Sequence, residues 1–173
     1  MAPDPIIFQT AWIAVRESPR GFQYLERQGK DSVAVFLLRR AGAAWEVLVR
    51  HQHLCIDNRE EQGQFRLFPC PVTGGMEPGE APEAAAMRET YEETGYQIAV
   101  TPLGKYIVGT QTNETCYLYY ADVTNIEPIE APLDGTFLES IAHNQWHAFE
   151  DLSGFEYGAC QLGYYKLKAH LFP

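Results

Sequence analysis

Basic side chains are scarce in this chain: 13 Lys and Arg stand against 23 Asp and Glu in 173 residues, for a formal net charge of −10. A surface of that sign disfavours a nucleic-acid backbone or an anionic membrane as the main partner, because both would be repelled at long range. Long apolar runs are missing as well; no stretch could span a bilayer, and no signal peptide is apparent. No internal repeat is found, which removes solenoids and propellers. The four cysteines, Cys55, Cys70, Cys116 and Cys160, form no CxxC pair. That spacing argues against a disulfide-stapled secreted framework, so reduced thiols in the cytoplasm are expected. What the chain does have is 46% hydrophobic residues, enough for one domain over residues 1–173 with a substantial core. A small anionic substrate stays open, provided local cations help to hold it.

The most informative stretch is RETYEETGY, Arg88 to Tyr96. In a helix, Glu89, Glu92 and Glu93 share one face, and like charges so placed repel by roughly 0.2–0.5 kcal/mol per pair. Arg88, one i+4 step before Glu92, offsets only part of that. A hard divalent cation with oxygen ligands would neutralise the cluster, and Mg2+ binds through a few carboxylates together with water and substrate phosphate oxygens. The alternative is a solvated acidic face. Upstream, Gly74, Gly75 and Gly79 suggest a loop through which backbone can approach a ligand closely. Pro82 suits a first helical turn, Glu80 and Glu83 sit near its positive end, and Gly95 is a natural terminator. The helical wheel puts Ala84, Met87, Tyr91 and Thr94 on the packing face, with Ala85 and Ala86 flanking the carboxylates.

Gly74, Glu80 and the run Arg88-Glu89-Thr90-Tyr91-Glu92-Glu93-Thr94-Gly95 resemble, at every Gly, Glu and Arg position, the signature box of the Nudix hydrolases, over residues 74–96. Thr90 stands where that family usually carries an aliphatic residue. The resemblance implies an α/β (α+β) Nudix fold, a mixed β-sheet sandwiched between helices, with residues 1–30 as an added strand pair able to form a homodimer. It also implies hydrolysis of a nucleoside diphosphate linked to another moiety. Glu89, Glu92 and Glu93, with a backbone carbonyl of Thr73 or Gly74, would hold Mg2+, with Mn2+ as a substitute. Arg88 would orient the glutamates and Glu80 would support them. In many relatives a glutamate far along the chain completes the metal shell or serves as general base; Glu139 sits at that place, with Glu127 and Glu130 as alternatives. A catalytically silent Nudix-fold ligand sensor is the reading from another class.

Substrate choice is less legible. The N-terminal strands and the late segment Pro102 to Val123 resemble the ADP-ribose and nucleotide-sugar pyrophosphatase branch. In contrast, FPCPVTGG, Phe68 to Gly75, is closer to branches acting on triphosphates. A sugar nucleotide therefore leads and a nucleoside triphosphate follows. Arg50, Arg39 and Arg27 are the basic groups expected at phosphate, and His53 occupies the place where the sugar-nucleotide branch usually carries an arginine. His51 and His53 alternate along one strand and would face the same way, while His143 and His147 read as surface or packing residues.

The remaining elements follow from hydrophobic period and turn chemistry. Ile6 to Arg16 and Gly21 to Gln28 read as two strands, and the segments from Ser32 and from Ala44 as a hairpin. A loop is expected from Ile56, then a short strand near Arg66 to Val72. Gly95 to Gln111 and Thr115 to Val123 read as strands and Glu127 to Gly135 as a Pro-rich loop. Leu138 to Phe149 is expected as a further strand, and Gly158 to Phe172 as a closing helix.

Overall fold

A computed structural model describes residues 3–57, 59–61, 64–132 and 137–171. The chain opens with β1 (Ile6–Gln9), β2 (Ile13–Glu17) and β3 (Gln23–Arg27), which form their own antiparallel sheet. Two strands were expected here, but the first is cut at Thr10. Its Oγ1 accepts hydrogen bonds from the Trp12 and Ile13 amides, both 3.1 Å, turning the chain back on itself. This small sheet is tied to the body through Leu25, whose amide donates to Gln111 O at 2.8 Å, and through Arg27, paired with Glu114 at 3.2 Å.

The main sheet is built around β4 (Ser32–Ala41) and β5 (Ala44–His53), paired as a hairpin only from Leu38 to Ala41. Nearer the other end of the hairpin, two strands complete the pairing. They are β8 (Leu67–Cys70), on Arg50 to His53 of β5, and β9 (Val72–Gly75), on Ser32 to Val35 of β4. Between β5 and β8 lie the two-residue strands β6 (Glu60–Glu61) and β7 (Gln64–Phe65). Then follow helix α1 (Pro82–Thr94), β10 (Thr101–Ile107), β11 (Thr115–Asp122), the short α2 (Phe137–Ile141), β12 (His143–Ala148), a 3-10 turn over Phe149–Gly154, and α3 (Gly158–Leu171). The seven-stranded sheet runs β10-β11-β4-β5-β12, with only the β11–β4 pair parallel.

Both faces of this sheet are covered, which explains the unbroken apolar run of β4. Val33, Val35 and Leu37 pack with Ala85, Ala86 and Tyr96 on the α1 side. Ala34, Phe36 and Leu38 pack with Leu152, Cys160 and Leu167 on the α3 side. Each such fully buried aliphatic or aromatic side chain contributes about 1.5–3 kcal/mol over leaving it in water. The α3 backbone approaches so closely that a Cβ on Gly163 would lie 2.1 Å from the Phe36 ring. The expected mixed sheet between helices is what the chain forms.

Several local expectations need correction. Gly74 and Gly75 belong to β9 rather than to a loop; Gly79 alone of the three has a positive φ, +82°. The stretch from Leu138 is not all strand: Ser140 Oγ donates to Phe137 O and the Ala142 amide to Glu139 O, closing one helical turn before β12 begins. Helix α1 buries Ala85, Ala86, Thr90 and Thr94, while Ala84 and Met87 are exposed. Its packing face is therefore rotated toward the glutamates from the one the wheel suggested. Residues 133–136 of the Pro-rich loop lie outside the described residues.

Candidate active site

Helix α1 is punctuated as its sequence requires. Pro82 occupies the first turn, where its missing N–H costs nothing, and Gly95 ends the helix at φ 77°, its amide donating to Tyr91 O at 2.8 Å. Thr90 is fully buried, and its hydroxyl donates to Ala86 O at 2.7 Å. A threonine is thus accommodated at an apolar position without an orphaned polar group. The rotation that buries Thr90 and Thr94 also draws Glu89 and Glu93 against β9 and β5.

Arg88 organises the acidic cluster. Its Nε and Nη2 donate to the two oxygens of Glu80, each at 2.9 Å, its Nη1 to Glu89 at 2.8 Å and Glu92 at 3.0 Å, and its Nη2 also to Gly75 O at 3.0 Å. Glu80 in turn accepts from the Glu77 amide at 2.8 Å. The Arg88 guanidinium holds the Glu80 carboxyl below its ordinary range. Glu89 is pushed the other way, first by burial, against the opposing pull of Arg88. Gly74 makes room for it: a Cβ there would fall 1.8 Å from the Glu89 carboxyl carbon.

Glu93 is the most constrained of the three. Burial pushes its pKa up to about 8, opposed by Arg50 and the Thr73 backbone and reinforced by Glu89 and Glu139. Arg50 is 5% exposed, and its Nε lies 3.3 Å from Glu93 Oε1, an ionic contact without hydrogen-bond geometry. Arg50 Nη1 and Asn144 Nδ2 donate instead to the Glu93 carbonyl, at 3.3 and 2.8 Å, covering one of the orphan carbonyls at the helix end. Glu93 Oε2 is buried with no hydrogen-bond partner, an expensive arrangement for a carboxylate.

Arg50, Glu89, Glu92 and Glu93 line a cavity of about 430 Å3, together with Gln52, His53, Pro132, Leu138, Glu139 and Ala142. Thr73 is next to it, its Oγ1 accepting from Gln52 Nε2 at 3.1 Å. The cavity thus gathers Glu89, Glu92, Glu93, Glu139, Arg50 and His53 from distant parts of the chain. It does not gather Arg27 or Arg39. Arg27 is held by Glu114 on the far side of Gly75 and lines a neighbouring hollow with Trp12 and Met76. Arg39 pairs with Glu46 at 2.8 Å and stacks over Trp146. His51 meets β12, its Nε2 3.0 Å from that of His147 and its ring stacked on His143. Gln52, Leu138 and Asn144 carried no sequence signal, since their part in the site depends on strand pairing and on the short α2.

Among the described residues no group of three His, Cys, Asp or Glu side chains is arranged to hold a metal ion; Arg88 engages Glu89 and Glu92, and Arg50 contacts Glu93. The donor set nevertheless fits a hard divalent cation. It consists of oxygens only, one of them buried and unpartnered, with a carboxylate cradled by a glycine.

A mixed sheet between helices, with helix α1 presenting Glu89, Glu92 and Glu93 to a cavity that Arg50 also lines, defines the class of fold and site. The NUDIX domain family model matches residues 29–166, and the chain belongs to the Nudix family. It is 33% identical over 129 residues to the ADP-sugar pyrophosphatase of Mus musculus, covering 67% of this chain and 55% of the relative. It is 41% identical over 66 residues to an RNA pyrophosphohydrolase of Rhizobium meliloti (strain 1021), covering 38% of this chain and 36% of that protein. The chain therefore spans about half the length of the mouse relative and about a third of the bacterial one. Among solved structures, a C. elegans Ap4A hydrolase binary complex superposes with TM-score 0.59 at 17% identity, over 82% of this chain and 96% of that one. A NUDIX hydrolase from Listeria monocytogenes gives 0.57 at 18%, over 81% and 92%. At such identities the likeness speaks for the fold. No helix among the described residues is long and apolar enough to cross a membrane.

Proposed function

We propose that this protein hydrolyses the pyrophosphate bond of a nucleoside diphosphate linked to another moiety, with an ADP-ribose-like or nucleotide-sugar compound as the leading substrate class. The observation that carries this reading is Glu93 Oε2, a buried carboxylate oxygen without a partner, beside Glu89 and Glu92 at one cavity. Glu89, Glu92 and Glu93, with the Thr73 or Gly74 carbonyl, would hold Mg2+, or Mn2+ in its place. When bound, the cation supplies positive charge opposite the phosphate oxygens and makes water more acidic. Arg88 fixes the direction of Glu89 and Glu92 and is itself anchored by Glu80. Arg50 holds Glu93 and lends positive charge to the cavity floor. Glu139, on the α2 wall, accepts the proton of the attacking water. The likeness to the mouse relative favours a sugar nucleotide. The bacterial relative, matched over a shorter span, supports the second reading, a nucleoside triphosphate. Exposed Ile7 and Phe8 of β1 and Trp12 of the turn that follows it support a homodimer.

A panel of nucleoside diphosphate sugars, ADP-ribose and nucleoside triphosphates, assayed with and without Mg2+, tests the proposal. Mononucleotide or phosphate release that needs the cation, and falls at least about a hundredfold in Glu93→Gln, is expected. Turnover of Glu93→Gln within a few-fold of the parent would remove its role, and binding without turnover in the parent would favour a sensor.

A further inference from the structure

The carboxylate cavity is continued outward by rings. His53 lines it at the end of β5, its centroid 5.0 Å from that of Phe65, with the planes at 59°. Phe65 meets Phe137 edge-to-face, 6.0 Å away at 72°. Phe137 opens α2, the same short helix that presents Leu138 and Glu139 to the cavity. Phe137 is 62% exposed and Leu138 52%, although both are large apolar side chains beside a cluster of acids. An edge-to-face contact engages at most one face of a ring, and at 62% exposure Phe137 keeps ring surface open to a ligand.

A nucleoside diphosphate derivative has two chemically opposite ends, one charged and one a flat neutral heterocycle. The acids and Arg50 suit the first, whereas the uncharged edge of Phe137, Leu138 and Pro132 suits only the second. Resting on the hydrolase reading above, we propose that Phe137, backed by Phe65 and His53, stacks the nucleobase of the substrate. The base then lies on the α2 side of the cavity. Every base offers a π-face, so this contact tolerates different bases and rewards the presence of one. Glu139 is carried on the same helical turn as the stacking ring.

The test compares the parent with Phe137→Ala and Phe137→Trp, using ADP-ribose and a base-free pyrophosphate, 5-phosphoribosyl pyrophosphate. In Phe137→Ala the KM for ADP-ribose rises about tenfold, the size of one base-stacking contact, while that for the base-free compound is unchanged. Phe137→Trp restores the ADP-ribose value. Equal shifts on both compounds, or none, would overturn the proposal. The indole fluorescence that Phe137→Trp adds over the parent, which carries Trp12, Trp45 and Trp146, reads stacking without catalysis: AMP quenches that added signal and ribose 5-phosphate does not. Absence of AMP quenching also overturns it, whereas quenching without turnover of any compound would leave the stacking site and remove the hydrolase.

Discussion

Gly74 carries no side chain, and that absence shapes the acidic cluster. Its missing Cβ is the space the Glu89 carboxylate occupies. In Gly74→Ala something must yield, and the cheapest thing to move is the end of a flexible glutamate rather than β9, which is paired with β4 from Ser32 to Val35. The fold should therefore survive while the site does not. Urea unfolding of Gly74→Ala is expected within about 1 kcal/mol of the parent, with cation-dependent turnover down about a hundredfold, as a 1 Å displacement of a reacting group produces. A large stability loss with intact turnover would show that Glu89 has another way to sit. At the same scale, Arg88 sorts the acids by what it touches: Glu80, Glu89 and Glu92 are bonded directly, whereas Glu93 is left to Arg50.

Elements reveal what single residues could not. The pairing of β12 with β5 sets His143 opposite His51 and Trp146 opposite Leu48, creating the histidine group from residues about ninety positions apart. Burial first, and then the nearby His143 and His147, lower the His51 pKa from 6.5. Asp151, 3.6 Å from His147, faces the group from the 3-10 turn. In the unfolded chain His51 takes up its proton near pH 6.5 and in the folded chain only below that, so the unfolded state binds more protons between the two values. His51 should accordingly contribute a loss of stability as pH drops from about 7.5 to 5.5, whereas Glu93, protonated in the folded chain and ionised in the unfolded one over the same window, contributes a gain. Parallel urea titrations of the parent and His51→Gln at the two pH values isolate the histidine, the change on acidification being more favourable in the variant. Identical slopes would show that the cluster protonates without hindrance. The same elements explain what was legible. The span of α1 could be read because Pro82 and Gly95 act locally, and so could the hairpin of strands from Ser32 and from Ala44. The orientation of α1 could not, because it is set by the sheet it lands on, and neither could the β5–β12 register. Glu139 was found only by its place along the chain; the helical turn that carries it is too short to leave a period.

At the scale of the whole molecule, sign matters more than position. A protein of formal net charge −10 that takes an anionic pyrophosphate works against its own long-range field. The cavity answers locally with Arg50, and the proposed cation would add to it, but a substrate approaching from beyond a Debye length, about 10 Å at 0.1 M salt, meets the net charge first. Salt screens that outer repulsion more than it weakens the buried contacts at Arg50. At fixed free Mg2+, kcat/KM for an anionic substrate is therefore expected to rise between low salt and about 0.15 M ionic strength, which is the opposite of what basic nucleotide-binding proteins show. The rise should reside in KM with kcat nearly constant. A kcat/KM that falls steadily with added salt would mean that the local field of the site reaches past the surrounding acids, and that the scarcity of Lys and Arg has no kinetic consequence.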